Sequence, residues 1–391
     1  VKGVAMRLKG FILVSVIGIF IFLPLRVHAG DTINFGVSLS LEGKYAEMGE
    51  MQKKAYLLWE QRTNQNGGLL NKKVKMIIEN DHSDKNTARK IYERFIEKDH
   101  IDFVFGPYSS GLTDAIMPVA EKYGYPVIAG GAGSDTLWHK GYRYIFGIFI
   151  PASRYTVGFL EMIAMKGLHD IAVVTADDSF SKSTAIGSKK WGTKFGLNIS
   201  FFEEFKVGTH DLSSLAFRVK ARNPQALIVC GHFDESVDMM KSLKKIKWHP
   251  KNYFATVGPA TPEFYRKLKG DAERVFSSSQ WEPEVMYGPE DRKTFLEPFM
   301  KKYHIKPTYH AADAFAACQI LETAILKTHS LDRKKIRDVL ASMDAMSIIG
   351  RYGVDNNGMQ IKHFPINIQW QNGEKKVVWP EEIANAAPII Q

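Results

Sequence analysis

Short apolar runs alternate with longer stretches whose apolar positions recur every three or four residues, so the chain reads as strands and helices in turn. Residues 33–39 (INFGVSL) form the first run. The polar turn 40–44 leads into a helix over 45–64, with Ala55, Leu58 and Trp59 on one face. Asn66-Gly67-Gly68 ends it, with glycine where a left-handed cap is needed. Strand 74–78, polar turn 81–87, helix 88–98, strand 103–105, a helix through Tyr123 and strand 126–129 follow. This order predicts a parallel, doubly wound sheet. Strand 144–150 precedes a second series: helix 155–166, strand 171–175, helix 180–195 capped by Asp177-Asp178-Ser179, strand 199–205, helix 212–221, strand 226–230, helix 236–246, strand 253–257, helix 261–268 and strand 275–278. Helices over 290–303, 309–327 and 333–343 come next, the last capped by Asp332. Alternation over 366–370 and 376–379 around Asn372-Gly373 predicts an antiparallel edge hairpin.

The expected fold is α/β, with two doubly wound lobes. The first series has few helices for a sheet covered on both faces, so 282–346 is expected to return to it and the tail to return to the second lobe. Lobe 1 then comprises 30–149 and 280–347, and lobe 2 comprises 150–279 and 348–391. The chain crosses between them three times, and a three-strand hinge favours opening and closing.

The stretch 103–135 (FVFGPYSSGLTDAIMPVAEKYGYPVIAGGAGSD) organises the first lobe. It holds the unit strand–polar turn–helix start twice. Ser109 or Ser110 is placed to cap the helix between, and the second strand runs into Gly130-Gly131-Ala132-Gly133-Ser134-Asp135. In a parallel sheet both turns emerge at the carboxyl edge, where open α/β folds bind ligands. Hydroxyls and free backbone N–H groups at a helix start attract anions. These turns are read as half of a small-molecule site.

Composition changes little in this picture. The chain has 391 residues, 45% hydrophobic and 24% charged, as expected of globular domains. Its N-terminus is more telling. Arg7 and Lys9 precede an apolar run over 11–25, and Val27-His28-Ala29 offers a small-residue cleavage site. Residues 1–29 are read as a secretory signal peptide, since Pro24 and Arg26 stop the run short of a bilayer span. Lys2, Arg7, Lys9 and Arg26 leave with it, and the net charge falls from +10 to +6. Cys230 and Cys318 read as two buried free thiols.

Catalytic chemistry is sparse. There is no G-x-S-x-G, P-loop or H-E-x-x-H, and Gly131-Ala132-Gly133 lacks the third glycine of a dinucleotide loop. No two histidines share metal-ligand spacing with a cysteine or acid. No cofactor or metal is expected, and the modest charge of an exported protein argues against nucleic acid. The lysines at 241, 244, 245, 247 and 251 read as a solvated face. Two hinged lobes without a catalytic set are read as a binder rather than an enzyme, with its site in the interlobe cleft.

The chain resembles the type I periplasmic solute-binding proteins, in the branch of the leucine/isoleucine/valine-binding proteins that serve ABC importers. The resemblance rests on Phe35-Gly36-Val37 with Gly43 and Tyr45, Asn66-Gly67-Gly68, Gly106-Pro107-Tyr108-Ser109-Ser110 and Pro118-Val119-Ala120-Glu121. It continues through 130–137, Gly141-Tyr142, Phe146, and Asp211 with Leu212. It implies a periplasmic monomer that closes on an amino acid or similar small carboxylate and docks on an ABC permease in the inner membrane. It also implies that Ser110, beside Ser109, holds the ligand carboxylate. Gly131, Ala132, Gly133 and Ser134 would face the ligand, Tyr45 would stand at the lobe-1 rim, and Phe180, Phe233 and Phe315 would occupy positions where the family often has tyrosine. One departure matters. The family's acid for the ligand ammonium aligns with Val257, followed by Gly258. A buried ammonium without an anion is costly. Either Asp234, Glu235 or another acid substitutes, or the ligand is an aromatic or aliphatic acid without an amino group. A ligand-sensing module for a membrane sensor would need the same cleft.

Overall fold

The computed structural model describes residues 2–3 and 32–391; the expected signal peptide otherwise lies outside the described residues. The first series runs β1 (Thr32–Leu39), α1 (Ala46–Gln65), β2 (Lys73–Asn80), α2 (Lys85–Glu97), β3 (Phe103–Phe105), α3 (Ser110–Tyr123), β4 (Val127–Ala129) and β5 (Ile145–Gly147). Its five strands are parallel, in the order β2-β1-β3-β4-β5. The second series runs α4 (Val157–Met165), β6 (Asp170–Ala176), α5 (Ser179–Lys194), β7 (Asn198–Phe205), α6 (Ser213–Arg222), β8 (Ala226–Cys230), α7 (Phe233–Lys245), β9 (Asn252–Ala255), α8 (Pro262–Leu268) and β10 (Phe276–Ser279). The chain continues through α9 (Glu297–Tyr303), α10 (Tyr309–Thr328), α11 (Arg333–Ser342) and the short hairpin β11 (Ala345–Ser347) and β12 (Gly350–Tyr352). It ends in β13 (Ile366–Gln371) and β14 (Glu374–Trp379), which join the second sheet antiparallel, in the order β14-β13-β10-β9-β8-β6-β7.

Burial explains these pairings. The inner strands β3, β4 and β8 are buried along their whole length, as strands covered on both faces must be. α10 closes the first sheet by packing on α1, and Phe315, Ala316 and Ile320 enter one core with Phe35, Trp59 and Phe105. There Phe35 meets Trp59 edge-on at 5.1 Å. The long excursion from 282 to 352 thus supplies the cover that the first series lacks. Both cysteines are free and buried. Among the described residues no helix is long and apolar enough to cross a membrane.

The chain passes between the sheets three times: after β5, after β10 and before β13. One residue ties the three passages, through its side chain and its backbone. Gln280 Oε1 accepts from the Ile150 amide at 2.8 Å, and its carbonyl lies 2.9 Å from His363 Nε2. Burial holds the His363 imidazole down at about 4, so it is the neutral ring that donates Nε2–H to that carbonyl.

Candidate functional site

The turn after β3 and the turn after β4 are joined by one hydroxyl. Ser109 is the N-cap residue of α3 by position, yet its side chain makes no capping bond. Ser110, the first helical residue, accepts through Oγ from the amides of Gly133 at 3.2 Å and Ser134 at 3.0 Å. Gln52, from α1, donates Nε2 to the Gly130 carbonyl at 2.7 Å and fixes the loop from behind. Gly131 is needed for this approach, because a Cβ there would sit 3.0 Å from the Tyr108 backbone and ring. With both amides donating to its oxygen, the Ser110 O–H is left as a donor suited to a carboxylate.

The second lobe answers with three strand-end turns. Asp178 ends the turn after β6 and caps α5, accepting from the Phe180 amide at 3.0 Å, the Ser181 amide at 3.1 Å and the Ser181 hydroxyl at 2.5 Å. His232 holds the corresponding position before α7, its amide donating to Glu235 Oε2 at 3.0 Å. Val257 follows β9 at φ 60° and ψ −64°, closed by a Gly258 N–H to Thr256 carbonyl bond of 2.7 Å. That is the rarer, strained hand of γ-turn, held here by burial against Tyr155 and Phe180.

Between these turns lies a small cavity of about 10 Å³, lined by Tyr108, Ser110, Gly131, Gly133, Phe149, Tyr155, Phe180, His232, Val257 and Tyr309. Its wall is mostly rings. Tyr155 meets Phe180 edge-on at 5.2 Å, Phe180 lies 5.1 Å from His232, and Phe149 packs on Tyr309 at 5.9 Å. Burial pushes the phenols of Tyr108, Tyr155 and Tyr309 well up, so all three are neutral hydroxyls. Outside it opens a vestibule of about 370 Å³ that shares Ser110, Phe180 and His232 and adds Lys44, Tyr45, Lys85, Ser109, Asp177 and Asp178. Other surface clefts exist, one of about 770 Å³ beside α4 and the C-terminal segment, but its lining includes no strand-end turn of the first sheet.

Among the described residues no carboxylate lines the inner cavity. Two acids approach it. Burial opposes charge on Asp178, but His232 at 3.5 Å and the Ser181 hydroxyl and amide outweigh this and hold the carboxyl well below its usual range. Asp313 lies one turn beyond Tyr309 on α10; burial raises its carboxyl well above the usual range, and neither oxygen has a partner among the described residues. It is a neutral acid behind the aromatic wall.

The residues expected from sequence therefore separate. Ser110, Gly131, Gly133, Phe180 and Val257 line the inner cavity, whereas Tyr45 and Ser109 line only the vestibule. Ser134 stands between the lobes, its hydroxyl 2.9 Å from the Ser179 carbonyl and 3.0 Å from the Ser183 hydroxyl of α5. Ala132 is buried in the first lobe's packing, and Gly258 backs Val257 against Ser236 and Phe264. Phe233 and Phe315 lie away from the cleft. Phe233 enters the second lobe's core with Val237 and Tyr253, and Phe315 packs on Phe295 at 5.0 Å. Each is on a helix whose preceding residue or first turn faces the cleft instead: His232 before α7, Tyr309 at the start of α10. Of Asp234 and Glu235, neither lines the cavity, and Glu235 is engaged in capping. Sequence reading did not single out Tyr108, Phe149, Tyr155, His232 or Tyr309. The available signal was their position, within a few residues of a strand's carboxyl end or a helix start.

Residues 32–374 match the family model described as periplasmic binding protein. Among curated proteins, the chain is similar to Leu/Ile/Val-binding protein homolog 7 of Brucella suis biovar 1 (strain 1330), with 22% identity over 91% of this chain and 93% of that protein. Among solved structures, it is similar to the branched-chain amino acid transporter substrate-binding protein LivJ of Streptococcus pneumoniae in complex with isoleucine, with TM-score 0.79, 21% identity, and coverage of 88% of this chain and 97% of that one. It is also similar to an ABC transporter solute-binding protein from R. palustris in complex with benzoate, with TM-score 0.76, 16% identity, and coverage of 92% and 98%.

Proposed function

This chain belongs to the periplasmic binding protein family, and from that premise we propose that it is the extracytoplasmic receptor of an ABC importer for a small carboxylate without an ammonium group. One observation carries the reading. Ser110 faces a wall of rings and Val257, and among the described residues no carboxylate side chain lines this inner cavity, the nearest being Asp177 and Asp178 of the vestibule. Pocket linings of this kind give an apolar body its affinity and a few polar groups its orientation. The R. palustris neighbour, printed in complex with benzoate, supports a ring-bearing acid; the pneumococcal neighbour, in complex with isoleucine, supports the competing amino-acid reading.

In this proposal the lobes divide near residues 149, 279 and 347, the protein works as a monomer in the periplasm, and the liganded form docks on an inner-membrane permease. Ligand would bias closure because only the closed form contacts it from both lobes. A calorimetric screen tests this with matched pairs: benzoate against benzylamine, 3-phenylpropanoate against phenylalanine, and 4-methylpentanoate against leucine. Binding is expected for acids of the panel and to be weakened at least about tenfold by an α-ammonium. Tighter binding of leucine or phenylalanine than of its deaminated partner overturns the ligand class.

A further inference from the structure

We propose that the Tyr155 phenol is the second hydrogen-bond donor to the bound carboxylate, beside Ser110, and that Gln280 sets its direction. This rests on the receptor reading above. Tyr155 lies in the first passage, between β5 and α4, and lines the inner cavity together with Ser110. Gly133 joins the two. Its amide donates to Ser110 Oγ at 3.2 Å, and its carbonyl accepts at 2.6 Å from the amide of Ala152, three residues before Tyr155. A Cβ on Gly133 would sit 3.7 Å from the phenol oxygen, so a glycine keeps the space beside that oxygen clear. The serine hydroxyl and the phenol therefore border one small gap.

The inventory of donors and acceptors fixes which way the phenol points. A backbone N–H only donates, so the Gln280 atom 2.8 Å from the Ile150 amide is the oxygen Oε1. Nε2 then faces the Tyr155 oxygen at 2.8 Å, and an amide nitrogen only donates. The phenol oxygen is the acceptor of that bond, and its own hydrogen has no acceptor among the described residues. Of the three phenols that line the cavity, Tyr155 alone is held by a hydrogen bond among the described residues. Its ring is held as well, edge-on to Phe180 at 5.2 Å and packed with Ile150 and Val257. A carboxylate oxygen is the acceptor that this O–H lacks. An ammonium brings only donors, and it would meet two hydroxyl oxygens already taken by N–H groups. Tyr155 thus selects for acids, and the carboxamide that ties the three passages also aims the donor.

The test is calorimetric titration with benzoate of three proteins: the wild type, Tyr155→Phe, and a protein carrying 3-fluorotyrosine in place of Tyr155. Tyr155→Phe keeps the ring and loses the O–H, and benzoate binding is expected to weaken at least about tenfold. Fluorine withdraws electron density and makes the O–H a stronger donor in nearly the same shape, so benzoate should bind more tightly, by about twofold. The fluorinated protein decides the matter should the phenylalanine variant not fold. Benzoate bound by Tyr155→Phe as by the wild type, or bound equally or more weakly by the fluorinated protein, overturns the Tyr155 assignment and leaves the receptor reading standing. Failure of benzoate and all other acids of the panel to bind the wild type removes both.

Discussion

At the scale of single residues the account turns on Ser110. Its oxygen accepts from two buried amides, which leaves its O–H to donate to a carboxylate. Hydrogen bonds to charged groups contribute about 1.5–3 kcal/mol. Ser110→Ala should therefore weaken acid binding about ten- to a hundredfold by calorimetry, and stranding the amides should cost about 1–3 kcal/mol in denaturant unfolding. Unchanged affinity would remove Ser110 from the grip. Ser110 was legible in sequence because a serine after a strand-closing Gly-Pro has few other roles. Phe233 and Phe315 misled because aromatic type alone says nothing of direction. Six residues separate Phe315 from Tyr309 on α10, about 240° around the helix, so only one of them faces the cleft. His232 escaped because a lone histidine at a strand end has no spacing signature, and its partner Asp178 lies far away in sequence.

Among elements, helix starts and strand ends do the positioning, and α1 adds a contact across the cleft. Glu47 is brought near Thr261, Glu263, Arg266 and Lys267 of the second lobe. Burial first, and then Glu263, push its carboxyl from 4.5 up to about 7, against the pull of Arg266 and Thr261. The folded form then holds a proton that the unfolded chain releases, so this contribution is full below about 4.5 and is lost as pH rises through about 7. Thermal unfolding of Glu47→Gln should show that fall flattened; an unaltered profile would take Glu47 out of the contact. The elements themselves were largely legible, since period and turn residues agree in most of them. α7 begins at Phe233 rather than 236 because Glu235 caps it from within. The hairpin β11–β12 gave no signal, each strand being three residues long with only Ser347, Gly350 and Tyr352 buried. A wide turn over Arg292–Leu296 interrupts what reads as one helix before α9, and a period of 3.6 cannot reveal that local unwinding.

For the whole molecule, two sheets are joined by three passages, and Gln280 bonds the other two through Ile150 and His363. His363 adds an acid-side limit. Burial lowers its folded value from 6.5 to about 4, so the unfolded chain binds the extra proton. Stability from this group is complete above about 6.5 and is lost as pH falls through about 4, opposite in sign to Glu47. His363→Gln should flatten the acid limb of a pH–stability curve, and a limb unchanged by the variant would assign acid sensitivity elsewhere. Gln280→Leu leaves the Ile150 amide without its acceptor. It should cost about 1–3 kcal/mol and broaden the range of lobe angles seen by small-angle scattering. The return of 282–346 to the first lobe could be argued from a sheet short of cover; the Gln280 junction could not, because nothing local marks three distant segments as neighbours.

The most direct measurement is a crystal structure of the protein grown with the tightest-binding acid of the panel. The account predicts its carboxylate within about 3.2 Å of Ser110 Oγ and its apolar body among Tyr108, Tyr155, Phe180 and Tyr309. A ligand bound outside this cleft, or one whose ammonium is met by an acidic side chain while Ser110 points away, would contradict it.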